Sequence, residues 1–257
     1  MSARIAPEAV SEELLELTLK LAEPARDLVI LSEGNTSELV GDEIVVKASG
    51  SAMGSATCAD FVSMAVEPLV ELLRDPTADQ DRLTAALTAG EVDGRAVRGS
   101  VESLVHVAVR ALAPVRYVAH THPTDVVSLL ASQQAATAFA EPVYTDELLI
   151  LGRPLFVPYA QPGLELGRVF LDRLEGYVEE HGELPSLVLL GNHGIVAISE
   201  TAEGAEAVSM MAVKSARVRL GARAAGGVAP LGSEATSEYF DRPDFAERRT
   251  RLAGTGG

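Results

Sequence analysis

Two stretches of this chain, "ELVGDEIVVKA" and "SLVLLGNHGIVAIS", each place two short apolar runs on either side of a glycine-containing turn. Runs of this length bounded by turn residues are strands, and so short a connection makes the pair antiparallel. Around them the apolar spacing predicts helices over 8–24, from Ser100 (as N-cap) to Ala113, from Pro123 to Leu130, over 163–180 and over 201–224. Residues 78–90 read as a polar helix, and "FVSMAV" as a strand running into a helix that ends near Leu73. "LVILSEGNTSELV" reads as short strands divided by a Gly-Asn loop, and Val115–Thr121 as a further strand. Strands outnumber what βαβ crossovers alone would supply, so the expected class is α+β, a central mainly antiparallel sheet flanked by helices on both faces.

The 257 residues suffice for one such domain, expected over 1–224, followed by a Gly-, Pro- and charge-rich tail over 225–257 that is flexible or packs at a subunit interface. A single cysteine, Cys58, allows no internal disulfide, and the N-terminus lacks the apolar core of a secretory signal, which points to the cytoplasm. No apolar run reaches the roughly 20 residues of a membrane span. A formal charge of −16 opposes binding to a phosphate backbone, so neither nucleic acid nor membrane is an expected partner. A small phosphorylated substrate in a local positive pocket stays compatible with that charge.

Chemistry concentrates at "YVAHTHPTDVV". Residues i and i+2 of a strand face one side, so His120 and His122 can aim at one ion. They can equally be structural histidines bonded to backbone at a strand end. His193, between glycines in "GNHGIV", can supply a third nitrogen, the number used by catalytic zinc sites with an open position. Of the other histidines, His106 reads as structural and His181 as a surface residue. Glu102 is either a carboxylate favoured by a helix dipole or an acid/base whose proton affinity is set by burial and a cation. Gly34, Asn35, Ser49, Gly50 and Ser100 are turn-forming residues whose N–H and hydroxyl groups could also cradle an oxyanion, with Lys47 adding charge.

In order, "GNTS", "KASG", "SVES", "HTHP", "VPYAQPG" and "NHGIV" resemble the motif series of the class II aldolase/adducin family from about Leu14 to Arg223. Within it the chain looks most similar to the aldolase half of the bifunctional rhamnulose-phosphate aldolase/dehydrogenase type, with the chain ending where the second half would begin. The resemblance implies a class II aldolase-like three-layer sandwich, often a C4 homotetramer, and a metal-dependent lyase acting on sugar phosphates. It assigns His120, His122 and His193 to a divalent metal, Zn2+ with Mn2+ or Fe2+ as alternatives. Glu102 joins the resting metal and then serves as acid/base. Gly34, Asn35, Ser49, Gly50 and Ser100 hold the phosphate.

The implied reaction is cleavage of a ketose 1-phosphate to dihydroxyacetone phosphate and an aldehyde through a metal-stabilised enediolate. Tyr144 lies near where some members place a tyrosine contributed across the subunit interface, and a packing aromatic is the other reading. Val101 replaces the second serine of fuculose-type members, removing one phosphate hydroxyl, and Gly99 replaces a common proline. Alternatives on the same site are a pentulose-phosphate 4-epimerase, a dehydratase, a keto-acid decarboxylase or an iron(II) oxygenase, and outside catalysis an adducin-like interaction domain.

Overall fold

The computed structural model describes residues 3–92 and 94–252. Its strands are β1 (Arg4–Ile5), β2 (Asn35–Val40), β3 (Glu43–Lys47), β4 (Phe61–Ala65), β5 (Thr88–Val92), β6 (Arg95–Arg98), β7 (Tyr117–Thr121), β8 (Leu155–Val157), β9 (Leu187–Leu190) and β10 (Gly194–Ser199). Eight of them form one sheet in the order β1-β4-β3-β2-β7-β10-β9-β8. Every pairing in it is antiparallel except β8 with β9, as the hairpin turns require.

Strand alternation divides the apolar side chains between two helical layers. Val118, Val188, Val196 and Val46 point into a core closed by α2 (Val66–Arg74), α4 (Ser103–Arg110) and α7 (Leu164–His181), through residues such as Leu73, Leu104 and Phe170. Tyr117, Ala119, Leu189 and Ile195 point the other way, onto α1 (Glu12–Leu21), α5 (Thr124–Leu130), α6 (Thr145–Leu151) and α8 (Ala202–Ala224). Each fully buried Leu or Phe contributes about 1.5–3 kcal/mol, so both faces of the sheet are held and the expected three-layer α+β sandwich is the observed one. Among the described residues no helix is long and apolar enough to cross a membrane.

Several local readings are corrected. The expected helix over 78–90 is α3 (Gln80–Leu87), and the chain then turns into the β5-β6 hairpin, for which Asp93-Gly94 is the sequence signal. "LVIL" is no strand. Leu31 takes a left-handed φ of 53° and, with Ile30, lies exposed, so apolar character there does not report burial. The helix expected from Ser100 starts at Ser103 and ends at Arg110; Ser100 precedes it in a turn where its Oγ accepts the Glu102 N–H at 3.2 Å. Pro123 sits at the N-cap of α5.

Beyond α8 the chain forms α9 (Ser233–Phe240) and α10 (Phe245–Leu252). Leu231 N donates to Pro142 O at 2.7 Å, and the Arg153 guanidinium lies 4.0 Å from the centre of the Phe240 ring. The described part of the expected tail therefore touches the α6 side of this same chain. Residues 253–257 of that tail lie outside the described residues.

Candidate metal centre

Backbone register delivers the first candidate ligand. His120 lies in β7, opposite Asn35 of β2 and Val196 of β10, and is fully buried. His122 follows where the ladder ends, its N–H donating to Leu28 O at 2.8 Å. His193 comes from the β9-β10 turn, which holds Asn192 at φ 54° and ties Asn192 N to Leu130 O at 3.1 Å. This turn presses on the end of β7: a Cβ on Gly194 would stand 2.6 Å from His122 Cδ2 and closer still to Thr121 O, so only glycine permits the approach. Glu102, at the N-cap of α4, closes the group from the helical layer.

One ligand atom from each of Glu102, His120, His122 and His193 lies within 4.8 Å of all the others. His120 Nε2 is 2.9 Å from His122 Nε2 and 3.4 Å from Glu102 Oε2, and His193 Nε2 is 2.8 Å from Glu102 Oε1. A carbonyl only accepts, so His120 Nδ1, 2.8 Å from Ile195 O, carries the proton and leaves the Nε2 lone pair facing the cluster. Nitrogens sharing a tetrahedral ion at about 2.0–2.1 Å lie roughly 3.3 Å apart, so His120 and His122, 2.9 Å apart at Nε2, would need to separate by a few tenths of an ångström to share one. The donor set fits a divalent cation.

Charge distribution agrees with that fit. Burial penalises the Glu102 carboxylate, but the imidazoles of His120 and His193 outweigh it and hold the group well below the usual carboxylate range. Burial also opposes charge on His120, where Glu102 prevails and the pKa rises. For His122, burial and then His120 and His193 push the pKa down to about 3, so its ring is neutral near pH 7. An ionised carboxylate set among three imidazoles is a donor set suited to a bound metal.

The other sequence-predicted residues divide. Asn35 is buried, its Nδ2 donating to Glu102 Oε2 at 3.3 Å, and Gly34 packs against His120 O. Ser49 N donates to Arg98 O at 2.9 Å and Ala48 bridges Gly99, which lays the Ser49-Gly50 turn beside the segment leading to Ser100. Lys47 is buried behind this turn with Nζ on Ala48 O and Ser51 O, and burial lowers its pKa to about 8. Tyr144 does not join the cluster: its hydroxyl is 2.9 Å from Met211 Sδ of α8. His106 is structural, its Nδ1 2.7 Å from Ser37 Oγ, while His181 packs edge-on against Tyr177.

A cavity of about 430 Å³ opens beside the cluster, lined by Asp27, Val29, Glu33, His122, Thr124 and His193 among others. Sequence reasoning passed over Asp27 and Glu33. The only signal for Glu33 was its place next to Gly34 in "SEGN".

The family profile described as Class II Aldolase and Adducin N-terminal domain matches residues 12–220. The chain belongs to the class II aldolase/adducin family. The class II aldolase fold recurs in solved structures. YgbL from Escherichia coli is 20% identical with a TM-score of 0.64, covering 91% of this chain and 98% of its own. The N-terminal class II aldolase domain of a conserved Thermoplasma acidophilum protein is 19% identical (TM-score 0.62; 81% and 92% covered). L-fuculose-1-phosphate aldolase from Thermus thermophilus is 17% identical (TM-score 0.61; 86% and 97% covered). At these identities the likeness is one of fold. No curated protein sequence matches the chain.

Proposed function

We propose that the chain is a metal-dependent aldolase that cleaves a ketose 1-phosphate to dihydroxyacetone phosphate and an aldehyde. The observation that carries the reading is the convergence of Glu102, His120, His122 and His193 within 4.8 Å at the end of the central sheet of a class II aldolase fold. The three histidines and Glu102 would hold the ion, Zn2+ first and Mn2+ or Fe2+ as alternatives. When bound, it supplies Lewis-acid stabilisation of the charge that builds on substrate oxygens as the carbon–carbon bond breaks.

The chain's own residues supply the rest. Glu102 has one oxygen facing His193 and the other facing His120 and Asn35; once substrate draws it away from the imidazoles that keep it ionised, it would take up a proton and pass it to the carbon from which the aldehyde departs, while a second base takes the hydroxyl proton of the departing fragment. Asn35 keeps that carboxylate oriented. The N–H and hydroxyl groups of Gly34, Ser49, Gly50 and Ser100 would take the phosphate, with the Lys47 ammonium behind the turn. Asn35, assigned to the phosphate by resemblance, already faces Glu102 and would serve both. Tyr144 would act only across a subunit contact, as in the tetramer the resemblance implies. The "KASG" and "HTHP" motifs favour a rhamnulose-type ketose.

The test is release of dihydroxyacetone phosphate from a panel of ketose 1-phosphates by metal-free protein and by protein reloaded with zinc, manganese or iron(II). Metal-dependent release is the expected result. Glu102→Gln should lower turnover by about 10²–10⁴-fold. Metal binding without release from any sugar would sink the aldolase reading. It would favour an epimerase, dehydratase or decarboxylase at the same site; the structure of YgbL carries the description "a putative aldolase/epimerase/decarboxylase", which names two of these.

A further inference from the structure

We propose that Glu33 is a positioning residue of the metal centre, holding the His122 ring so that Nε2 faces the other ligands. The inference rests on the metal-centre reading of the four converging side chains and is independent of which substrate they act on.

Glu33 lies in the loop before β2, and its two carboxylate oxygens face different groups. Oε2 accepts the Ile30 N–H at 3.1 Å, while Glu33 N donates to Ile30 O at 3.0 Å. This reciprocal pair closes the loop around Leu31, whose φ is 53°. The carboxylate is thereby tethered at one oxygen. Oε1 lies 3.7 Å from His122 Nδ1.

The opposite ring nitrogen, His122 Nε2, is the atom 2.9 Å from His120 Nε2. An imidazole that coordinates through Nε2 carries its proton on Nδ1, and an acceptor there fixes both tautomer and ring orientation. His120 has such an acceptor in Ile195 O at 2.8 Å. For His122 the group facing Nδ1 is Glu33. A gap of 3.7 Å exceeds a direct hydrogen bond, and a small rotation of the half-exposed carboxylate would close it. The loop also reaches His122 through its backbone, because Leu28 O accepts the His122 N–H at 2.8 Å. One short segment thus holds the main chain of this residue and faces its ring.

The test measures zinc affinity of the full chain by competition with a chromophoric chelator, for wild type, Glu33→Ala and Glu33→Gln. The His122 ring nitrogens are followed in the zinc-loaded protein by ¹⁵N NMR. Gln keeps an amide oxygen for the Ile30 N–H, so the loop can close, but it then turns an NH2 group toward His122. Both variants should bind zinc about 10–100-fold more weakly. In Glu33→Gln the Nδ1–H resonance of His122 should shift while the far-ultraviolet circular dichroism stays that of wild type. Should Glu33→Ala fail to fold, Glu33→Gln decides.

Wild-type zinc affinity together with an unmoved His122 resonance in Glu33→Gln would overturn the proposal and reduce Glu33 to a loop cap. Wild type that binds no zinc would overturn it together with the metal centre. Wild type that binds zinc yet cleaves no ketose phosphate would sink the aldolase reading alone, and the zinc affinities of the variants would still decide the role of Glu33.

Discussion

Gly34 connects the loop before β2 to the ligand strand, and a Cβ there would stand 2.7 Å from Val29 Cγ1, 2.8 Å from His120 O and 2.9 Å from Met53 Sδ, at a φ of 69°. Gly34→Ala should therefore cost more than about 2 kcal/mol of stability and displace His120, read by urea unfolding and by zinc content. Lys47 gives a pH dependence of known sign. Its folded pKa of about 8 lies below the reference value of 10.5, so between them the unfolded chain binds more protons and the free energy of unfolding rises with pH. Above pH 10, Tyr117 and Tyr144, raised to about 12 by burial, act in the opposite direction. Urea unfolding between about pH 8 and pH 10 should show the rise, and Lys47→Met should flatten it; parallel slopes would exclude Lys47 as its source. At this scale the convergence of the three histidines was legible because His120 and His122 are two apart at the end of one strand and His193 lies in a glycine-containing turn. Asn35 as a partner of Glu102 was not, because that pairing joins β2 to α4 across the core.

The segments that carry Ser49, Gly50 and Ser100 are joined through backbone contacts around Gly99. Gly99 N donates to Leu87 O at 2.9 Å, and Ala48 pairs with Gly99. The glycine that stands in place of a common proline is thus used as a donor. Gly99→Pro removes that donor and should cost about 1–3 kcal/mol, and it should weaken substrate binding more than metal binding, a split visible as a raised KM at unchanged zinc content. An unaltered KM would separate this segment from the substrate. The long helices α7 and α8 matched expectation to within a residue or two at each end, whereas the start of β5, Thr88 to Gly90, was absorbed into the helix expected over 78–90 because no residue of β5 is buried and its sequence carries no apolar alternation. "LVIL" failed for the converse reason: its apolar residues line a loop beside the cavity, where Ile30 is 62% and Leu31 85% exposed.

Across the whole molecule, one buried ion pair fastens the outer helical layer. Arg219 of α8 faces Glu147 of α6 with Nη1 and Oε2 2.9 Å apart, and also donates to Ala138 O at 2.7 Å and Glu141 O at 2.8 Å. Arg219→Ala leaves the Glu147 carboxylate buried without its cation and should cost about 3–5 kcal/mol, measured by thermal or urea unfolding. A loss under about 1 kcal/mol would mean that water reaches Glu147 in the variant. The chain by itself determined the strand and helix periodicities, the antiparallel hairpins and the chemical types of the candidate ligands, because alternation and turn preference act over a few residues. Only the tertiary structure decided that β7, the β9-β10 turn and the start of α4 meet at one point, that Asn35 and Glu33 stand beside the cluster, and that Tyr144 faces α8. Those relations depend on hydrogen-bond register between strands far apart in the chain and on the packing of helices against the sheet, which no local pattern encodes.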